Sequence, residues 1–234
     1  MDGGLVMSRT PGRPRGLLLD AMGTLITLRE SVGSSYAALA RDHGVVAEAA
    51  AIDAVFPTVY RQAPPLAFAG LSGEALLEAE IGWWGERISE TFAALTLPRP
   101  DAALQRALFD HFAQPERWLV YGEVAAQLTA WRQAGLRLAV VSNFDSRLHG
   151  LLQSLGLLTQ LDAVVISSEV GAAKPDPRPL QLALAALELT PEQAWHIGDS
   201  ADDVAAARGA GVHCLRIERH RTEQSPHHRS TMSG

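Results

Sequence analysis

Leu17-Leu18-Leu19-Asp20-Ala21-Met22-Gly23-Thr24-Leu25-Ile26-Thr27-Leu28 is the stretch whose reading decides the fold. Three consecutive leucines fit the end of a strand buried on both faces, as a parallel sheet requires. A carboxylate, Asp20, follows where the apolar run stops, and Gly23 permits a tight turn soon after. In open α/β sheets, ligands bind just beyond the carboxyl ends of the strands. Asp20 therefore stands where such a fold carries chemistry, although an aspartate there can also simply cap a loop.

Working outward, residues 1–15 hold three Gly, two Pro and three Arg without periodicity and read as a flexible leader, with Met7 as an alternative start. After Leu28 the texture changes. Residues 31–117 are rich in Ala, Leu and Glu at helical spacing, as at Tyr36, Leu39, Ala40 and His43, with Gly44 as a stop signal. Pro57, Pro64, Pro65, Pro98 and Pro100 divide this region into four or five helices, and no strand pattern appears. From Trp118 the α/β rhythm returns. Strands are predicted at 136–141, 163–166, 194–197 and 213–217, with helices around 124–131, 146–155, 178–189 and 203–209. Such alternation implies parallel strands joined by right-handed crossovers. The polar tail, 219–234, reads as disordered.

Composition narrows the function classes. The chain has 234 residues, 47% of them apolar, with a mean hydropathy of +0.04, which suits a soluble globular protein. No run approaches the roughly 18 apolar residues of a membrane span, and no secretory signal is evident. A net charge of −6 argues against nucleic acid as the main partner. The single cysteine, Cys214, excludes an internal disulfide or a cysteine metal cluster, so a cytoplasmic location is expected. Among 20 basic residues only Lys174 is a lysine. An ammonium on an unbranched stem makes a compact point contact that a guanidinium cannot.

Four strand ends or following loops carry polar residues: Asp20; Ser142 and Asn143; Lys174; Asp199 and Asp203. Alone, Ser142 and Asn143 read as turn residues, Asp203 as a helix N-cap and Lys174 as a surface charge. Strands of one parallel sheet bring all of them to a common edge. Carboxylates gathered there repel one another unless a divalent cation neutralises them, and an all-oxygen site suits Mg2+. A cation and Lys174 would hold a phosphate, with Ser142 bonding its remaining oxygens. Asp20 would attack phosphorus as a nucleophile.

These pieces resemble the haloacid dehalogenase (HAD) superfamily. The resemblance rests on Asp20-Ala21-Met22-Gly23-Thr24-Leu25, Val141-Ser142-Asn143, Lys174-Pro175-Asp176-Pro177 and Gly198-Asp199-Ser200-Ala201-Asp202-Asp203, four motifs in the superfamily's order. It implies a Rossmann-like parallel α/β core at 16–28 and 118–218, with an inserted helical cap at 29–117, as in subfamily I. It also implies Asp20 as nucleophile, Ser142 and Asn143 as phosphate binders, and Lys174 steadying nucleophile and phosphate. Mg2+ would be held by Asp20, the Met22 backbone carbonyl and Asp199, with Asp203 binding or supporting it. The implied substrate is a small phosphorylated molecule. Residues 142–145, Ser-Asn-Phe-Asp, resemble one branch of that subfamily.

One position departs from the pattern. The superfamily's phosphatases usually carry a second Asp two residues after the nucleophile, which protonates the leaving alcohol; here that position is Met22. General acid catalysis of this kind is worth about 10² to 10⁴ in rate. Three readings follow: a Mg2+-dependent hydrolase acting on good leaving groups or using an acid from the cap, a 2-haloacid dehalogenase, or a weakly catalytic binding or regulatory protein. Asp199 favours the first, because the dehalogenases lack that acid. Elsewhere, Trp83 and Trp84 read as cap core, His196 as buried packing, and Asp145 with Arg147 as a solvated pair. His220, His227 and His228 fall in the tail and are given no metal.

Overall fold

The computed structural model describes residues 12–219, so the expectations for 1–11 and for the tail from 220, its three histidines included, lie outside the described residues. In chain order the elements are β1 (Gly16–Leu19), β2 (Ile26–Leu28), α1 (Val32–Asp42), α2 (Ala49–Gln62), α3 (Gly73–Ala94) and α4 (Ala102–His111). They continue with β3 (Trp118–Val120), α5 (Val124–Gln133), β4 (Arg137–Ser142), α6 (Arg147–Ser154), β5 (Ala163–Ile166) and α7 (Ser167–Val170). The described residues end with α8 (Arg178–Leu187), β6 (Ala194–Gly198), α9 (Ala201–Ala210) and β7 (His213–Arg216).

Five strands form one parallel sheet in the order β5-β4-β1-β6-β7. The leucine run is its central strand. Leu17 and Leu19 point to the face covered by α5 and α6, packing with Leu128, Leu148 and Leu151. Leu18 points the other way, onto Leu180 and Leu184 of α8 and Ala207 of α9. Each fully buried leucine contributes about 2 kcal/mol, so a strand sandwiched between two helical layers is an anchor for both. The fold is the predicted Rossmann-like α/β core. Leu19 lies opposite Val140 on β4 and Ile197 on β6, so the three strands end within two residues of one another. That register is what assembles the site.

The helices α1 to α4 lie between β2 and β3 and build a separate apolar cluster around Tyr36, Ile52, Ile88, Phe92, Leu104 and Leu108. Serine and aspartate start two of them: Ser31 accepts from Ser34 N at α1, and Asp101 from Leu104 N at α4. Two local expectations change. Pro57 was expected to end a helix, yet it lies inside α2, whose Ile52 is fully buried and whose Phe56 packs on the same cluster. Packing on that face outweighs the backbone bond the proline removes. The second change is β2 with β3, a short antiparallel ribbon pairing Ile26 with Val120 and Leu28 with Trp118, in residues not assigned to strands. It forms the stem on which the four helices stand. Among the described residues no helix is long and apolar enough to cross a membrane.

Candidate active site

Asp20 follows β1, Ser142 ends β4, Gly198 ends β6, and Lys174 lies in the loop between α7 and α8. The side chain of Asn143 clamps that loop: its amide donates to Lys174 O and its carbonyl accepts from Lys174 N, each at 2.8 Å. Both polar atoms of the Asn143 side chain, expected on the phosphate, are thus engaged in placing the lysine. Lys174 is 5% exposed, and its Nζ donates to Asp20 Oδ1 at 2.7 Å, Asp203 Oδ1 at 2.5 Å and Val141 O at 3.0 Å. Three protons meet three acceptors. Burial works against the ammonium, but the charges of Asp20 and Asp203 outweigh it and hold its pKa above the ordinary value. Burial pushes the Asp20 carboxyl up against the opposing pull of Lys174.

Asp203 is the most heavily bonded group of the set. Its Oδ1 accepts from Lys174 and from His196 Nε2 at 2.9 Å, and its Oδ2 accepts from Ser200 N at 3.0 Å and Ser200 Oγ at 2.6 Å. Burial would raise this carboxyl, yet the bonds from His196 and Lys174 hold it well below the usual carboxylate range. Ser200 and Asp203 also form the reciprocal cap that starts α9, so helix initiation and site geometry share one pair of residues. His196 is fully buried, as expected, but it does more than fill space: its Nδ1 lies 2.9 Å from Leu18 O, so the ring ties β1 to Asp203.

Asp199 differs from its neighbour. It is half-buried, and among the described residues no other side chain bonds its carboxylate. Burial raises its pKa, and the nearby charges of Asp20 and Asp203 raise it further. Asp20, Asp199 and Asp203 each bring an oxygen within 4.8 Å of the others. Gly23 lets this happen. Its φ is +81°, and a Cβ there would run into the Asp199 carboxylate. Two further atoms on the same strand ends and loops have no partner: Ser142 Oγ is buried without a hydrogen bond, and the Met22 carbonyl receives none among the described residues.

A cavity of about 230 Å3 opens beside these groups, between the helices and the sheet. Met22 and Asn143 line it from the sheet side, and Phe56, Tyr60, Trp84 and Phe109 from the helices. Trp83 is core, as expected, whereas Trp84 faces the cavity and donates to Asp145 Oδ2 at 2.7 Å. Asp145 and Arg147 were expected to be solvated. They form instead a buried pair at 2.6 Å, with Arg147 also donating to Phe109 O at 2.5 Å. Glu80 of α3, fully buried, accepts from Ser146 N at 2.9 Å, and from Ser146 Oγ and Ser168 Oγ at 2.6 Å each. These contacts hold the helices over the sheet edge. None of them was legible in the sequence, where Glu80 is one acid among several on its helix.

The strand ends and their order are the arrangement that the four motifs implied, whereas the contact of Lys174 with Asp203 was not part of it. The family described as haloacid dehalogenase-like hydrolase matches residues 14–211. The chain belongs to that family. Similar haloacid dehalogenase-like proteins include haloacid dehalogenase-like hydrolase domain-containing protein 3 of Mus musculus, 38% identical over 207 residues, or 87% of this chain and 81% of that one. The phosphoserine phosphatase of Thermus thermophilus is 31% identical over 226 residues, covering 90% of this chain and 91% of the relative. Among solved structures, CbbY from Rhodobacter sphaeroides in complex with phosphate superposes with a TM-score of 0.65 at 20% identity, over 91% of this chain and 89% of that one. The chain is thus a haloacid dehalogenase-family hydrolase related to phosphatases.

Proposed function

We propose that this hydrolase removes phosphate from a small molecule through an aspartyl-phosphate on Asp20, with Mg2+ as cofactor. The observation that carries the reading is the lysine bridge: one buried ammonium holds Asp20 and Asp203 at 2.7 and 2.5 Å beside the orphaned hydroxyl of Ser142. An anion entering there meets a donor, a cation and a carboxylate already oriented. Asp20 attacks phosphorus, the bond to the leaving group breaks, and water then cleaves the acyl phosphate to return the carboxylate and release inorganic phosphate. Ser142 donates to a phosphoryl oxygen, and the charge of Lys174, held on Asp20 and Asp203, offsets that of the phosphoryl group through the two steps. Asn143 acts by fixing the backbone of Lys174.

The donor set fits a hard divalent cation. Asp20, Asp199 and the Met22 carbonyl offer oxygen only, and among the described residues no side chain donates to the Asp199 carboxylate or to that carbonyl. Asp203, its oxygens taken by four donors, supports the site by fixing Lys174. When bound, Mg2+ would offset the charge of the carboxylates and of the incoming phosphate.

Met22 cannot protonate a leaving group, so the reaction is suited to leaving groups that depart unaided. The panel that tests this is hydrolysis of acetyl phosphate, an alkyl phosphate and a chloroacid by wild type and Met22→Asp. Wild type should prefer acetyl phosphate, and Met22→Asp should raise alkyl phosphate turnover by roughly 10² or more. A second reading, dehalogenation through an ester on Asp20, is favoured by one observation, the apolar Met22 facing the cavity. Metal-independent halide release would establish it. If both variants bind Mg2+ and neither turns over any of the three, the protein is a binding module.

A further inference from the structure

The cavity that opens beside the Asp20 cluster is small. Its volume, about 230 Å3, is below the roughly 300–1,000 Å3 of drug-sized sites and suits a single-ring group. Most of its lining is aliphatic or aromatic carbon. Its charged and amide side chains are already engaged. Arg147 is bound by Asp145 and Phe109 O, and its guanidinium lies 3.8 Å from the Phe109 ring centre. Asn143 is bound on both polar atoms by Lys174. Trp84 Nε1 is given to Asp145, and Trp118 Nε1 to Phe112 O.

Two polar groups are left, the hydroxyls of Tyr36 and Tyr60, which make no hydrogen bond among the described residues. Both are neutral. Burial, with the nearby charges of Asp145 and Asp20, pushes Tyr60 up to about 12, and burial pushes Tyr36 up as well. Tyr60 stacks on Trp84 with ring centres 6.1 Å apart, and Phe56 stands 6.0 Å from Tyr60. The wall is therefore aromatic and offers no uncommitted cation. A carboxylate placed in it would lose water and meet only two neutral hydroxyls and no uncommitted cation, a loss worth several kcal/mol.

We infer that the cavity accepts the leaving group of the substrate and that this group is an uncharged, apolar ring or short chain with at most one or two polar atoms. The inference rests on the phosphatase reading for the identity of the reaction, but the cavity's selectivity is a separate property. It separates this chain from its relative named phosphoserine phosphatase, because a serine leaving group brings both an ammonium and a carboxylate. Met22 belongs to the same design: at the one position beside the nucleophile where an acid would charge the cavity, the chain places a thioether.

The test compares phenyl phosphate with 4-carboxyphenyl phosphate, with acetyl phosphate as the control for the reaction itself. The carboxyl group makes the phenol a slightly better leaving group, so a preference for phenyl phosphate has to come from the cavity. The expected kcat/KM ratio is at least about 100 in favour of phenyl phosphate. Phe56→Arg, which puts a cation on the wall, should cut that ratio at least tenfold, and thermal melting checks that it folds. Val32→Arg, on the first turn of α1, is the second variant. Acetyl phosphate turnover with a phenyl to carboxyphenyl ratio near one would overturn the inference and leave the phosphatase reading standing. If no phosphate compound is hydrolysed, the phosphatase reading fails instead. Saturation-transfer NMR with benzyl alcohol and 4-carboxybenzyl alcohol then decides the inference, since it needs no turnover: transfer to the first alone, weakened in the arginine variants, sustains it, and equal or absent transfer overturns it.

Discussion

Asp199 and Asp203 lie four residues apart, at the mouth and in the first turn of α9, and their surroundings give them opposite work. Asp203 receives four donors and is 1% exposed, whereas Asp199 keeps its oxygens open toward Asp20. A cation bound by Asp199 would stabilise the folded state by mass action, since the unfolded chain offers no assembled site. Mg2+ at about ten times its dissociation constant adds about 1.4 kcal/mol by that relation, a rise in melting temperature readable by calorimetry. Asp199→Asn should remove the rise. An unchanged rise in that variant would place the ion elsewhere. The residue types of this site were legible in the sequence because Asp20, Ser142 and Asp199 close apolar runs and Lys174 is the chain's one lysine. The division of labour between the two aspartates was not, because it depends on His196. That histidine reaches Asp203 and Leu18 only through the pairing of β6 with β1, across 178 positions of chain.

Elements of four residues or more with a clear apolar run, such as β1, β4 and β6, were readable from pattern alone. The ribbon of β2 and β3 was not, since three residues per strand give alternation no room to show. α7, at four residues, is too short for a helical period. α3 was readable as a helix but not as a clasp, because the value of Glu80 is set by partners on α7 and on the loop before α6. That clasp gives the element-scale prediction. Glu80→Ala strands Ser146 N, Ser146 Oγ and Ser168 Oγ, and a buried donor left unpaired costs about 1–3 kcal/mol. The expected loss in urea unfolding is at least about 3 kcal/mol. A loss under about 1 kcal/mol would mean that water replaces the carboxylate and that the helices dock chiefly through the apolar contacts of Trp84 and Phe109.

At the scale of the whole molecule, the α/β core and a helical segment between its first strands were legible, since both follow from how apolar residues are spaced along 234 positions. The closed seam between them was not, because its bonds join residues such as Leu66 and Ser167, 101 positions apart. One consequence of the composition reaches beyond folding and catalysis. With a single lysine, 5% exposed and held by three oxygens, the native surface offers an acylating reagent no side-chain amine. An amine-selective ester should therefore attach one group, at the chain's amino terminus, and a second only when the seam opens and Lys174 gives up its proton. Mass spectrometry against time would then read a local opening rate, slowed by orthovanadate or phosphate in the site and accelerated by Glu80→Ala. Rapid double acylation of the native protein would show that the lysine is not sequestered. The same residue that fixes the nucleophile would serve, with no tag introduced, as a chemical clock for how often the site exposes itself to solvent.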